Sequence, residues 1–155
     1  MYNFSQGNSV EIWFRAVTKE LQMLDPQPPS LEKIQTVLLK YLNRKTHKAL
    51  RYLNDVLDPH EWLDLALKVD TLLCLENQHG QLVRVGVDVT SNPEQVDYKL
   101  NLIQSKPFFQ ARKELNIQQH WVVLVDFQRL PELDTIVDMF YDQVDRDMAT
   151  AIVKL

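Results

Sequence analysis

Alternating hydrophobic and polar residues in the middle of the chain predict a β-hairpin. Apolar side chains recur at every second position from Leu67 to Glu76 and again from Leu82 to Thr90, which is the period of strands with one buried face. Residues 77–80, Asn-Gln-His-Gly, supply the turn between them. A three-residue loop that ends with Gly80 in the left-handed conformation fixes the register of the two strands.

Two acidic residues fall opposite each other in this register. Asp70 faces Asp88 and Lys68 faces Thr90, on the side away from the valine-rich face. Directly opposed like charges lie about 5 Å apart and destabilise a strand pair by roughly 0.2–1 kcal/mol. A divalent cation between the carboxylates relieves the repulsion, so the pair predicts a metal site. Two alternatives stay open: a solvated face on which the acids bind nothing, and a one-residue slip that separates them.

Helical periodicity predicts most of the other elements. Six positions carry a capping residue, a proline or both directly before a run of apolar residues at helical spacing. The proline-rich residues 25–29 end the first of these helices, and Leu50, Leu53 and Leu57 continue the second at helical spacing. The predicted helix starts are Asn8 or Ser9, Ser30, Asp58, Asn92, Pro107 and Pro131.

The order of these elements predicts the fold class. Residues 120–127, HWVVLVDF, form a nearly continuous apolar run typical of a central strand covered on both faces. The last five residues, AIVKL, form either a short strand or the end of the last helix. We therefore predict an α/β fold with a central mixed β-sheet, an antiparallel meander plus a buried strand, flanked by helices. At 155 residues it fits a single domain, with a helical N-terminal part (1–57) and an α/β core (58–155).

Composition and cysteine content exclude several classes of protein. The chain is 45% hydrophobic and 25% charged, has no basic segment followed by an apolar run at its start, and has no long uncharged apolar stretch. These features predict a cytoplasmic protein that does not contact membranes. A single cysteine, Cys74, excludes an intramolecular disulfide and agrees with a reducing compartment. No histidine pair, glycine-rich phosphate loop or nucleophile motif indicates another chemistry.

Charge is distributed unevenly along the chain. The net charge is −4, which does not favour nucleic acid, but residues 40–51 contain five basic side chains and no acidic one. We predict that DNA, if it binds, contacts Lys45, Lys48 and Arg51 in this segment. The alternative is a basic helix face that only contacts solvent.

The two aspartates and the order of elements around them resemble the PD-(D/E)XK superfamily. Val69-Asp70 matches the first motif of that superfamily, and Asp88-Val89-Thr90 matches the second, 18 positions later. A helix from Pro93 and the strand at 120–127 follow in the family's order, so the resemblance covers most of the chain from Asp58 onward. It implies a restriction-endonuclease-like fold and hydrolysis of DNA phosphodiester bonds with Mg²⁺ or Mn²⁺.

One position departs from the family pattern. Thr90 occupies the place of the motif lysine and cannot carry a positive charge. Some members of the superfamily place this lysine on the following helix, which implies Lys99; Lys68, opposite Thr90, is the other candidate. The superfamily often adds an acid from the first helix, and Glu20 is preferred over Glu11 because Glu11 is expected to cap that helix.

Two main hypotheses follow. In the first, the chain is a nuclease in which Asp70, Asp88 and Lys99 are catalytic and Asp70, Asp88 and Glu20 bind the metal. In the second, the fold is kept without catalysis, as a binding or regulatory module, which Thr90 favours. The abundant apolar helices also allow an oligomerisation scaffold, for example a homodimer.

Overall fold

A mixed β-sheet lies at the centre of the fold. In the computed structural model, which describes residues 3–41 and 59–155, four strands follow one another in sequence order across the sheet. The second strand pairs antiparallel with the first and parallel with the third, and the third and fourth are parallel. This arrangement confirms the predicted α/β class and the central third strand, and the last residues form a strand. The strands are β1 (Thr71–Glu76), β2 (Leu82–Thr90), β3 (Gln119–Leu124) and β4 (Thr150–Lys154).

Helices surround the sheet, and none of those described combines the length and the apolar character needed to cross a lipid bilayer. As predicted, Ser30 caps the second helix by accepting a hydrogen bond from the Lys33 N–H (3.2 Å). Residues 42–58, with the predicted helical positions Leu50, Leu53 and Leu57 and the cap Asp58, lie outside the described residues. The helices are α1 (Asn3–Glu20), α2 (Leu31–Tyr41), α3 (Pro59–Leu67), α4 (Val96–Ile103, after a 3₁₀ turn at Pro93–Gln95), α5 (Lys106–Glu114) and α6 (Leu133–Asp145).

The first helix begins earlier than predicted. It starts at Asn3, so the predicted start at Asn8 or Ser9 is wrong and Glu11 occupies the middle of α1. A capping box requires its glutamate in the first turn, which Glu11 is not. Its carboxylate is therefore available for contacts with other elements.

Both faces of the sheet are covered by helices. On one face, Phe14 of α1 and Phe140 of α6 pack against the valines of β2. On the other face, Trp62 of α3 and Ile103 of α4 belong to a second core with α2 and α5. Because helices cover the side on which Asp70 and Asp88 lie, each is only 3% exposed. The alternative of a solvated acidic face is therefore wrong.

The predicted hairpin register is confirmed. Thr71 pairs with Val87 and Cys74 with Arg84, and Gly80 has the left-handed backbone that the turn requires (φ 75°). One residue before β1, the Asp70 N–H donates to the Val87 carbonyl (2.8 Å). This bond extends the pairing and places Asp70 beside Asp88 at the carboxyl end of β2.

Gly86, in the middle of β2, is expected to resist enlargement. A Cβ atom added there would lie 2.8 Å from Cγ2 of Val69, a buried and β-branched side chain. We expect Gly86→Ala to lower the free energy of unfolding by about 1–3 kcal/mol, the usual cost of overpacking a core, as measured by urea denaturation. Because Val69→Ala removes the clashing methyl, the double variant should lose less than the sum of the two single variants. Additive losses would contradict this explanation.

Candidate metal centre

Four acidic side chains converge at the edge of the sheet where β2 ends. Asp70 directly precedes β1, and Asp88 belongs to β2. Glu11 belongs to α1 and Asp64 to α3. We call these four residues the acidic cluster. Glu11, Asp64 and Asp70 each offer a carboxylate oxygen within 4.8 Å of the other two. Glu11 of α1 thus meets two acids from consecutive parts of the chain, α3 and the residue before β1.

Backbone and side-chain contacts hold Asp70 in place. Its Oδ2 accepts a hydrogen bond from the Val89 N–H (2.8 Å), and its backbone carbonyl accepts one from Nη2 of Arg15 (3.1 Å). The side chains of Asp64 and Asp88 lie close enough to the Asp70 carboxyl group to raise its pKa. Asp70 therefore lies at the centre of the cluster.

Lys99 provides the positive charge next to Asp88. It projects from α4, and its Nζ lies 3.1 Å from both Oδ1 and Oδ2 of Asp88. The Asp88 side chain is 4% exposed and that of Lys99 is 20% exposed, so the pair is well shielded from solvent. A partly buried ammonium bound to both carboxylate oxygens holds its position more firmly than a surface ion pair.

The other two positions of the expected lysine motif have different roles. Thr90 accepts a hydrogen bond from the Asn92 N–H (3.1 Å) and so contributes to the turn before α4. Lys68 has a left-handed backbone (φ 58°), and its carbonyl lies 2.9 Å from Nε2 of His120. Of the two candidate lysines, it is Lys99 whose amine contacts Asp88.

Burial and mutual repulsion perturb the acids. Burial raises the pKa of Asp70 well above its ordinary value, and the hydrogen bond to Asp64 and the charges of Asp88, Asp64 and Glu11 raise it further. Burial also raises the pKa of Asp88, although the Lys99 ammonium opposes that rise. The pKa of Glu11 is raised by burial and then by Asp64 and Asp88. Asp70, Asp88 and Glu11 therefore retain protons to higher pH than isolated carboxylates do.

The first-helix acid in the cluster is Glu11, and the preferred Glu20 lies outside it. Nine residues separate the two along α1, about two and a half turns, so their side chains leave opposite sides of the helix. Glu20 is exposed. The mistaken helix start led to the preference for Glu20, because a capping glutamate at position 11 would already be engaged.

Sequence reasoning missed Asp64. This residue is the one acid within the apolar stretch Trp62–Leu67, which buries Trp62, Leu63, Ala66 and Leu67 in the core. A charged side chain in a short, otherwise apolar helix just before the first motif was the available signal. The sequence does not indicate the side of α3 from which Asp64 projects, because packing of α3 against α2 sets the rotation of the helix about its axis.

The predicted DNA-binding residues Lys45, Lys48 and Arg51 lie outside the described residues. The neighbouring Lys40, at the end of α2, is described and places its Nζ 3.4 Å from Oε1 of Glu114. Both side chains are substantially exposed, and such pairs contribute little to stability.

A paired substitution on α1 tests which glutamate belongs to the site. We expect Glu11→Gln to weaken Mn²⁺ binding about tenfold or more, because it removes one carboxylate charge from the cluster. Glu20→Gln changes the net charge equally and should bind Mn²⁺ like the unaltered protein, since Glu20 lies outside the cluster. Isothermal titration calorimetry measures both affinities. A larger loss in Glu20→Gln would contradict the placement of Glu11.

The donor set suits a hard divalent cation. All four members of the acidic cluster offer carboxylate oxygens, the ligands that Mg²⁺ and Mn²⁺ prefer. The cluster lies outside the carboxyl ends of the parallel strands, a common location for ligand sites in α/β folds. Comparison with family models, curated proteins and solved structures finds no match to this chain.

Proposed function

We propose that the chain is a metal-dependent nuclease with a restriction-endonuclease-like core, which hydrolyses DNA phosphodiester bonds with Mg²⁺ or Mn²⁺. The observation that carries the proposal is the convergence of Asp70, Asp88 and Lys99, from the two motifs and the helix that follows them, with Glu11 and Asp64. Two acids that face each other across a hairpin are unfavourable without a cation, and here two more acids join them.

In this proposal the chain's own oxygens form the metal shell. Glu11, Asp64 and Asp70 supply ligands from three elements, and Asp88 adds a fourth carboxylate beside Asp70. A divalent cation held by these carboxylates would supply positive charge to the phosphate and lower the pKa of a bound water. Because burial raises the pKa of Asp70, binding of a cation by these oxygens would be accompanied by release of protons from the cluster.

Lys99 acts next to this shell. Its ammonium is fixed by Asp88 at the position where Thr90 cannot supply a charge. From there it orients the attacking water and stabilises the charge that develops on the phosphate oxygens. Asp88 thus has two roles in the proposal, as a metal ligand and as the group that positions Lys99.

DNA is the proposed substrate, and the basic residues Lys45, Lys48 and Arg51 are its proposed contacts outside the centre. Phosphate contacts of this kind strengthen binding to every sequence and weaken steeply as salt increases. The proposal therefore includes a strong salt dependence of DNA binding, whereas the metal affinity of the shielded cluster should vary less.

Cleavage of single-stranded, duplex and branched DNA with Mg²⁺ or Mn²⁺ tests the proposal directly. We expect product with at least one of these substrates, and none when EDTA is present. A preparation carrying Asp70→Asn, purified in the same way, controls for contaminating nucleases. Cleavage that persists in EDTA, or equally in the Asp70→Asn preparation, would contradict a metal-dependent activity of this site.

The pKa shifts predict how metal binding depends on pH. Protons compete with the cation for Asp70, Asp88 and Glu11, whose pKa values are raised by burial. We expect Mn²⁺ affinity to increase by up to about tenfold per pH unit for each proton released, from the ordinary carboxyl pKa of about 4 up to the raised values. Calorimetry across buffers of different ionisation enthalpy counts the released protons. An affinity that does not change with pH would contradict proton competition.

A second candidate function keeps the fold without the reaction. The Lys99–Asp88 contact favours it, because the ammonium already balances one buried carboxylate without any cation. In that case the chain is a binding or regulatory module, and it takes up Mn²⁺ weakly and cleaves none of the DNA substrates. Metal binding and cleavage measured on the same preparation separate the two functions.

A further inference from the structure

A cavity lies at the end of the sheet opposite the acidic cluster. It has a volume of about 200 Å³ and opens between the end of α5 and the start of β3. That volume equals the liquid share of about seven water molecules. Cationic, amide and apolar side chains line it, and none of the described lining residues is acidic. They are Phe109, Arg112, Lys113, Asn116, Ile117, Gln118 and Ala149.

Arg112 is a buried cation without a carboxylate partner in the described part of the chain. Its residue surface is 3% exposed, and its Nη1 donates to the Ile103 carbonyl (2.6 Å) and lies 3.4 Å from Nδ1 of His120. Burial lowers the pKa of Arg112 to about 10, and no acid among the residues that the structure describes counteracts the shift. Buried charges are ordinarily paired, so an unpaired guanidinium beside a cavity needs a counter-ion.

His120 cannot supply that negative charge. It is fully buried, and burial followed by the nearby Arg112 charge lowers its pKa to about 3, so the ring is neutral. With Nδ1 facing the Arg112 donor, the ring proton resides on Nε2 and is donated to the Lys68 carbonyl (2.9 Å). The ring thus orients the guanidinium but supplies no negative charge to balance it.

The other polar side chains of the cavity add hydrogen-bond donors and one more positive charge. Gln118 is engaged in bonds with the Arg84 N–H and with Oδ1 of Asn116 (both 2.7 Å). These bonds leave the amide nitrogen of Asn116 as a donor, because its oxygen accepts from Gln118. Lys113, exposed on α5, adds an ammonium next to Arg112.

We propose that this cavity binds a phosphate group, with Arg112 as its buried anchor and Lys113 and Asn116 as additional donors. A guanidinium fork offers paired donors that match the oxygens of phosphate, and a flexible lysine adds a point charge. The half-exposed ring of Phe109 at the rim contacts an attached organic group when the phosphate belongs to an ester. The site is independent of the acidic cluster and of the proposed hydrolysis.

Calorimetric titration with inorganic phosphate tests the proposal, with EDTA present and ionic strength held constant. We expect saturable binding that Lys113→Glu weakens about tenfold or more, the loss expected when a charge-assisted contact is replaced by repulsion. Lys106→Glu is the matched control, because it reverses a charge at the other end of the same helix, away from the cavity. It should bind phosphate like the unaltered chain.

Two further arms complete the test. Arg112→Gln should remove binding, provided that circular dichroism shows a folded protein; where it does not fold, the Lys113 and Lys106 pair decides. A nucleoside monophosphate is titrated beside inorganic phosphate, and a tighter affinity that Phe109→Ala abolishes identifies a phosphate ester as the ligand. Equal affinities identify the free anion. The absence of saturable binding for both, or equal affinities of the two lysine variants, would overturn the proposal.

Discussion

Asp70→Asn is expected to abolish Mn²⁺ binding and DNA cleavage while making the metal-free protein more stable at neutral pH. Asparagine retains an oxygen that can accept from the Val89 N–H and an amide that can donate to Asp64 or Asp88, so the packing around it is preserved. It removes the carboxylate at the centre of the acidic cluster. Because a bound cation contributes several kcal/mol to such reactions, we expect a loss in cleavage rate of roughly a thousandfold.

The gain in stability follows from the sign of the pKa shift. Burial raises the pKa of Asp70 in the folded state, so the folded protein binds more protons than the unfolded chain. The stabilisation from protonated Asp70 is fully present below the unfolded pKa of about 4 and is lost as pH rises through the raised folded value. Asparagine does not ionise, so Asp70→Asn should avoid this loss.

Thermal unfolding with EDTA, measured from acid to neutral pH, checks this expectation. The melting temperature of the unaltered chain should fall relative to that of Asp70→Asn as pH rises, and Mn²⁺ should raise it only in the unaltered chain. Asp138→Asn removes an exposed carboxylate from α6 and is the matched control. Asp70→Asn protein that still binds Mn²⁺ and cleaves DNA would rule out the proposed centre.

Lys99→Gln is expected to lower the cleavage rate about a hundredfold while Mn²⁺ binding persists. The substitution removes the ammonium that contacts both oxygens of Asp88 but leaves every carboxylate in place. Losing one preorganised group that stabilises developing charge typically costs a factor of this size. Without Lys99, which lowers the pKa of Asp88, that pKa should rise, so the remaining activity should require higher pH.

Lys68→Gln is the matched control, because Lys68 is the other candidate for the missing motif lysine. Lys99 is the candidate lysine whose amine contacts Asp88, so Lys68→Gln should leave single-turnover cleavage close to that of the unaltered chain. A large loss in Lys68→Gln with normal cleavage in Lys99→Gln would transfer the catalytic role to Lys68.

Local patterns predicted the hairpin well because its geometry is determined over a short range. Alternation fixed the two strands, and a glycine at the only left-handed position of the turn fixed the register that sets Asp70 beside Asp88. A one-residue slip would have turned the valines of one strand to the opposite face and separated the two acids, so the register was strongly specified.

The rest of the candidate site depended on tertiary packing. Glu11 and Asp64 reach the cluster because α1 and α3 pack on the sheet with particular rotations, and no local signal encodes a rotation. The burial of Asp70 and Asp88 was missed for a related reason. Whether a polar strand face meets water or helices depends on α3 and α4, which carry Asp64 and Lys99 on otherwise apolar surfaces.

The acidic cluster draws its members from both layers of helices. Glu11 belongs to α1, whose core residues pack on one face of the sheet, and Asp64 belongs to α3, which packs on the other. An ion shared by these two carboxylates would therefore link the helical layers on the two faces of the sheet. Binding of Mn²⁺ should then slow amide hydrogen exchange in α1 and α3 together, because the shared ion restricts the opening of both helices.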